Sequence, residues 1–169
     1  METPLRLEEI TIRNQLRPGD IGYIIHMHGI LYQAEYDYGI EFESYVAKGL
    51  HEFIEQYDPQ RDQVWVCQHL DRMIGFMLLM HRGENSAQLR FFILQREYRG
   101  IGLGNKLMDE FMRCLVNNNY HHAFLWTTHE QEAAAHLYRK AGFTMTQEKN
   151  STAFGKPLTE QRYDLHLKV

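Results

Sequence analysis

Three glycines and an arginine stand together just ahead of an apolar segment with helical spacing. Arg99 is followed by Gly100, Gly102 and Gly104, and the apolar residues after them recur at i, i+3 and i+4. Glycines let backbone N–H groups converge on an anion with no Cβ in the way, and a helix start adds its positive end. The pattern is typical of a pyrophosphate cradle, although a flexible turn can have the same composition.

Two nucleotide-binding templates fail on this loop. A Walker A loop needs lysine after its last glycine, but Gly104 is followed by Asn105. The dinucleotide template fits Gly100 and Gly102, but Asn105 stands at its third small position, and no acidic residue about twenty positions on fits a ribose contact. A third template, Arg/Gln-x-x-Gly-x-Gly/Ala, is satisfied by Arg99, Gly102 and Gly104. The interpretation of the chain as a nucleotide-binding domain is therefore supported only by an imperfect glycine pattern.

Tyr138, in the segment AAAHLYRKAGF (133–143), is a second residue that could do chemistry. A phenol with a pKa of about 10 can donate a proton to a thiolate of similar or lower basicity. The alternative is a helix-face aromatic that packs on a sheet, which is the commoner role of such a side chain.

Hydrophobic periodicity predicts the elements that must position these residues. The predicted strands cover 8–15, 63–70, 73–81, 87–94, 122–128, 143–149 and 161–169. The predicted helices run from Asp20 to about Tyr36, along the stripe 42–54, after Gly104, and from a capping box at Thr128–Gln131 to Gly142. This order predicts an α+β domain, layered α/β/α, whose helices pack on a mostly antiparallel sheet.

Composition limits the class of protein. The 169 residues carry a net charge of −4 and two distant cysteines, and predict one domain over 1–169 without a disulfide framework. The acidic balance argues against binding nucleic acid by bulk electrostatics, and the N-terminus has no apolar run for a membrane. We expect a cytoplasmic protein. No metal site is expected, because the histidines do not suggest three converging ligands.

The two motifs together resemble the GNAT superfamily of acetyl-CoA-dependent N-acetyltransferases. The stretch AQLRFFILQREYRGIGLGNKLM looks like the superfamily's central strand, pyrophosphate loop and helix, and 133–143 looks like its second signature. Both ends of the chain look like the acetyltransferase half of bacterial proteins that fuse it to a MarR-type regulator. The resemblance implies the GNAT fold, with about seven strands flanked by four helices.

The resemblance also assigns residues to acetyl-CoA. Backbone groups near Phe92, Ile93 and Leu94 would contact the pantetheine arm, and Tyr138 would protonate the leaving thiolate. The pyrophosphate would lie on the loop formed by Arg99, Gly100, Ile101, Gly102, Leu103, Gly104 and Asn105. Gln131 stands where the superfamily often has asparagine, which puts a cofactor contact from that position in doubt.

The acceptor side is predicted from carboxylates interleaved with aromatic rings between the first two helices. Glu35 and Glu43 are the candidates for the general base, although a solvated loop would show the same pattern. Trp126 would line the acceptor pocket or the core. The predicted reaction is direct transfer of an acetyl group to a primary amine of a small molecule or peptide. The alternative is a non-catalytic acyl-CoA sensor, and in either case the closing strands could pair in a homodimer.

Overall fold

Seven strands form one sheet with helices on both faces, and the computed structural model describes residues 4–168. The strands are β1 (Thr11–Arg13), β2 (Gln63–His69), β3 (Arg72–His81), β4 (Ser86–Leu94), β5 (His122–Thr128), β6 (Thr144–Ser151) and β7 (Leu158–His166). The helices are α1 (Asp20–Tyr36), α2 (Ile40–Gln56), α3 (Leu103–Asn117) and α4 (Glu132–Lys140). Short 3₁₀ turns occur at Leu7–Glu9 and Arg96–Tyr98.

The strand order is β1-β2-β3-β4-β5-β7-β6. Every neighbouring pair is antiparallel except β4 and β5, which are parallel. The predicted fold class is therefore confirmed: a mixed, mostly antiparallel sheet of seven strands flanked by four helices.

Each face of the sheet has its own hydrophobic core. α3 and α4 cover one face, where Leu107 and Phe111 of α3 pack with Leu125 of β5. α1 and α2 cover the other face, where Val46 and Leu50 of α2 are fully buried. The apolar stripes of α2, α3 and α4 thus meet apolar sheet faces, which fixes the layered arrangement.

The parallel pair β4–β5 separates along its length. The register runs only from Ser86 opposite His122 to Gln88 opposite Phe124, and the rest of β4 has no partner on β5. On its other side β4 carries a bulge, because Phe91 and Phe92 together face the single residue Met77 of β3. Phe91 has a left-handed φ of 53°. The result is a V-shaped opening between two central strands.

Several element boundaries differ from those predicted. The connection between α1 and α2 is only Asp37–Gly39, because Asp37 ends α1 in a left-handed conformation (φ 60°) and α2 begins directly at Ile40. The expected capping box at Thr128 does not form: Thr128 ends β5, a turn follows, and α4 begins at Glu132. Gly142 does adopt the left-handed φ (100°) expected after that helix.

Among residues 4–168, no helix combines the length and the apolar character that crossing a membrane requires.

Candidate active site

Two clefts meet at the opening between β4 and β5. The loop cleft has a volume of about 380 Å³ and lies between the end of β4, the glycine loop and α4. The aromatic cleft is smaller, about 80 Å³, and lies between α1, α2, the middle of β4 and parts of β5 and β7. Tyr32, Phe92 and Gln131 line both clefts, so a ligand in one can reach a ligand in the other.

The end of β4 supplies one wall of the loop cleft. Phe92, Ile93 and Leu94 all line it, at positions where β4 no longer pairs with β5. Ile93 and Leu94 keep their register with β3 on the opposite side. The strand is therefore fixed from one side and leaves its other backbone edge to the cleft.

The glycine loop forms a left-handed turn into α3. Gly100 and Gly102 have φ values of 78° and 90°, which favour glycine. The first backbone bond of the helix is donated by Lys106 to the carbonyl of Gly102, so the preceding N–H groups have no partner within α3. A Cβ at Gly104 would lie 3.1 Å from Leu137 of α4, so a larger residue at that position would require the leucine side chain to shift. The geometry matches an anion cradle.

Most of the predicted cofactor-binding residues line the loop cleft, namely Phe92, Ile93, Leu94, Arg99, Gly100, Gly102, Gly104 and Asn105. The side chains of Ile101 and Leu103 instead pack into the core beneath α3 and α4. Only the backbone of these two residues could serve a ligand.

Charges in the loop cleft are mainly positive, with one carboxylate among them. Arg99 donates a hydrogen bond to the carbonyl of Leu94 at 3.0 Å, and its Nη1 lies 2.9 and 3.1 Å from the two oxygens of Glu35. Arg96 approaches the same carboxylate at 3.7 Å. Lys140 donates to the Asn105 side chain at 3.2 Å. Glu35 thus lies on the loop side of the opening and holds Arg99.

Tyr138 lies in the aromatic cleft and is buried, with 5% of its surface exposed. Burial, with a smaller effect of the nearby Tyr36, raises the pKa of Tyr138 well above its usual range. Its ring packs against Phe143 and Tyr163. Tyr138 therefore keeps its proton at neutral pH, so it can donate that proton but cannot serve as a general base.

A chain of polar groups crosses the junction of the two clefts. The Tyr32 hydroxyl donates to Gln131 at 3.4 Å, and the Gln131 amide donates to the Thr128 hydroxyl at 3.3 Å. Tyr38 shares a hydrogen bond of 2.7 Å with the same hydroxyl. Burial is the main reason why the pKa of Tyr32 is raised above its usual range. Burial also raises the pKa of Tyr38, to about 12. Gln131 thus faces the site rather than closing a capping box.

The two predicted base candidates lie outside the aromatic cleft. Glu35 is held by Arg99, and Glu43 packs on α1 beside Gly29. The carboxylate that does line the aromatic cleft is Glu160 of β7, which stands opposite Thr128. No motif surrounds Glu160, so the sequence alone does not point to it. Only the pairing of β7 with β5 brings it there.

Arg90 of β4 is a second residue of the aromatic cleft that sequence analysis did not identify. Its side chain is only 10% exposed and stacks on Phe91, with the guanidinium carbon 4.6 Å from the ring centre. Trp126, predicted for either the pocket or the core, lines the same cleft.

The remaining reactive side chains lie elsewhere. His129 accepts a hydrogen bond from the backbone of Thr159 in a shallow surface depression. Burial raises the pKa of the Cys67 thiol to about 12. Within residues 4–168, no three His, Cys, Asp or Glu side chains are grouped closely enough to hold a metal ion.

Comparison with known proteins identifies the family. The model of the acetyltransferase (GNAT) family matches residues 30–143. Among curated proteins, mycothiol acetyltransferase from Corynebacterium efficiens is 27% identical over 77 residues, which is 46% of this chain. That match spans only 26% of the relative's length.

Solved structures agree on the fold. A GNAT-family acetyltransferase from Staphylococcus aureus superposes with a TM-score of 0.74 at 18% identity, over 94% of this chain and 99% of that one. Spermidine N-acetyltransferase from Vibrio cholerae, solved with CoA and spermine, gives 0.69 at 20% identity, over 94% and 96% of the two chains.

Proposed function

Because the chain belongs to the acetyltransferase (GNAT) family, we propose that it transfers an acetyl group from acetyl-CoA directly to a primary amine bound in the aromatic cleft. The observation that carries this proposal is the junction of the two clefts. One cleft has an anion cradle and an exposed strand edge, the other has aromatic rings and a carboxylate, and they share Tyr32, Phe92 and Gln131.

The residues of the loop cleft fit acetyl-CoA as a co-substrate. The free N–H groups at the start of α3 suit a pyrophosphate, and Arg99 and Lys140 add positive charge beside them. The open edge of β4 at Phe92–Leu94 offers backbone groups to an extended amide-bearing arm such as pantetheine. This arrangement would place the thioester at the junction.

We assign the binding of the amine and the acceptance of its proton to Glu160, because it is the carboxylate that lines the aromatic cleft. The neutral amine attacks the thioester carbonyl, a C–N bond forms, and the C–S bond breaks from the tetrahedral intermediate. The amine proton passes to Glu160, and Tyr138 donates a proton to the departing sulfur. Loss of the proton from Glu160 to solvent and uptake of one by Tyr138 restore both groups for the next turnover. Burial weakens Tyr138 as an acid, but it also makes a thiolate in the same cleft more basic. The products are the acetylated amine and CoA.

A thiol-release assay tests the role of Tyr138. Tyr138→Phe should lower kcat by about 10²-fold or more, with little change in the Kd for acetyl-CoA, because only the proton donor is lost. The matched control is Tyr163→Phe. Tyr163 packs 6.2 Å from Tyr138 between ring centres and is equally buried, but its hydroxyl contacts Arg139 and it lines neither cleft.

Glu160→Gln should lower kcat/KM with its pH dependence altered, whereas Glu43→Gln should not, since Glu43 lies outside the cleft. Equal losses of kcat in Tyr138→Phe and Tyr163→Phe would contradict the assignment of Tyr138 as the proton donor.

The alternative function, an acyl-CoA sensor, predicts tight acetyl-CoA binding with no thiol release in the wild type or any variant. Absence of acetyl-CoA binding would rule out both functions.

A further inference from the structure

Arg90 is an almost buried cation that the reaction itself does not require. The absence of a side chain at Gly49 makes room for it, because a Cβ there would lie 2.7 Å from Arg90 Nη2. Its guanidinium donates to the Tyr45 hydroxyl at 3.4 Å and stacks on Phe91. The side chain is thus packed in a defined place on the wall of the aromatic cleft.

The charge of Arg90 is only partly neutralised. Its ion-pair partner is Glu52, at 3.6 Å, but the same carboxylate binds Arg82 more closely, at 2.7 Å. Lys48 is a third cation near Glu52. Within the part of the chain that the structure describes, neither arginine has a second ion pair. Three cations therefore share one carboxylate, and the cluster keeps a net positive charge next to the cleft.

The opposite wall of the cleft has the opposite charge. Glu160 stands there on β7, and the ring of Trp126 lies beside it on β5. Lys149 approaches Glu160 only to 3.9 Å and is half exposed, so it does not neutralise it fully. A molecule in the cleft meets a carboxylate on one side and a guanidinium on the other.

We propose that the acceptor is a small primary amine that also carries an anionic group, such as the carboxylate of an amino acid, with the anion bound by Arg90. The inference rests on the proposed function and names the substrate class of the same site. A buried cation favours an anionic partner because little water is left to solvate it. The cleft, at about 80 Å³, admits a small group of this kind, and Arg90 disfavours polyamines, which carry only positive charge.

Matched amine pairs that differ by one carboxylate test the proposal on the wild-type protein. Suitable pairs are ornithine with putrescine, tyrosine with tyramine and phenylalanine with phenethylamine, with spermidine as a polyamine reference. Phosphoethanolamine against ethanolamine separates a phosphate from a carboxylate as the anion. We expect kcat/KM to be at least about tenfold higher for the carboxylate-bearing member of the preferred pair. A preference for the decarboxylated amines or for spermidine would overturn the proposal.

Arg90→Gln tests whether that guanidinium is responsible. The ratio within each pair should fall to about one, mainly through a higher KM for the amino acid. If Arg90 had a merely structural role, its replacement would lower kcat/KM equally for both members of a pair and leave their ratio unchanged. Arg113→Gln is the charge-matched control on the exposed surface of α3 and should keep the wild-type ratio. An unchanged ratio in Arg90→Gln would also overturn the proposal.

The wild-type measurement stands by itself if Arg90→Gln does not fold. The proposed function and the substrate class fail in different ways. If no amine of either kind releases CoA thiol, the transferase activity is wrong. If amines are acetylated without the carboxylate preference, the substrate class and the role of Arg90 are wrong, but the transferase activity stands.

Discussion

Burial sets the protonation of the side chains around the two clefts. His28 lies fully buried in the aromatic cleft, and its Nδ1 donates to the carbonyl of Ile24 at 2.8 Å, which leaves Nε2 without a proton in the neutral ring. Burial lowers the pKa of His28 to about 4. The ring is therefore neutral at physiological pH and packs as an aromatic between Tyr32 and Phe91.

Because of His28, we expect the stability of the folded protein to fall as the pH falls from 6.5 towards 4. Its pKa of about 4 in the folded protein is below the unfolded value of 6.5, so the unfolded state binds the proton first. Its contribution to stability is complete above pH 6.5 and is lost as the pH falls towards 4, by about 3 kcal/mol in total. Urea unfolding between pH 7 and 4 measures this loss. His28→Gln should flatten the pH dependence, and His51→Gln is the same substitution at an exposed site for comparison.

Residues that belong to a linear motif were the predictable part of the candidate site. Arg99, Gly102 and Tyr138 come from patterns in consecutive sequence, and the structure brings them to the two clefts. Glu160 and Arg90 belong to no motif, because their positions depend on strand pairing and on space left by a glycine in another element. A carboxylate near aromatic residues is too common in sequences to separate Glu160 from Glu35 and Glu43.

The start of α3 depends on backbone conformation more than on side chains. Gly102, the residue before the helix, has a φ of 90°, and a Cβ there would meet only Leu7, at 3.8 Å. The cost of another residue at this position is therefore conformational rather than steric. Gly102 also lines the loop cleft, so a change in its backbone conformation would disturb the N–H groups of the anion cradle.

Gly102→Ala should lower the free energy of unfolding by about 1–2 kcal/mol and weaken acetyl-CoA binding by about tenfold. Gly83→Ala is the matched control. Gly83 has nearly the same φ, 85°, with nothing within 4 Å of an added Cβ, but it lies in the β3–β4 turn and lines neither cleft. Denaturant titration and calorimetry with acetyl-CoA measure the two effects. Equal loss of acetyl-CoA affinity in both variants would contradict a special role for the loop.

The types of the helices and strands were predictable because their apolar periodicity is strong, but the boundaries of these elements were not. The helix stripes, the strand-like apolar runs and the turn signals between them predicted the correct order of elements. The predicted start of α4 is too early because Thr128 and Gln131 fit a capping box. In the structure Thr128 instead pairs with Glu160 at the end of β5. Tertiary pairing decided between two local patterns of similar strength.

At the scale of the molecule, the core under α3 and α4 connects the two halves of the sheet. Phe111 of α3 is fully buried in it and packs near Trp65 of β2 and Phe143 before β6. Residues of β4 and β5 join the same cluster, including Leu89 and Leu125. This core therefore spans the opening that separates the two strands.

Phe111→Ala should lower the free energy of unfolding by about 3–5 kcal/mol, because it removes a large buried ring from that core. Val116→Ala on the same helix is the control, and at 63% exposure it should change stability by no more than about 0.5 kcal/mol. Chemical denaturation followed by fluorescence and by far-UV circular dichroism checks both. A small effect of Phe111→Ala would show that the two halves do not depend on this core.

The short register between β4 and β5 also has a mechanical consequence. Three residue pairs, ending at Gln88 and Phe124, hold the two strands together in a sheet whose neighbouring ladders on either side run much longer. Fewer residue pairs therefore join β4 to β5 than join either strand to its other neighbour. We therefore expect β4 and β5 to move apart more readily than the strand pairs beside them, so that the two clefts can widen while the flanking ladders stay intact.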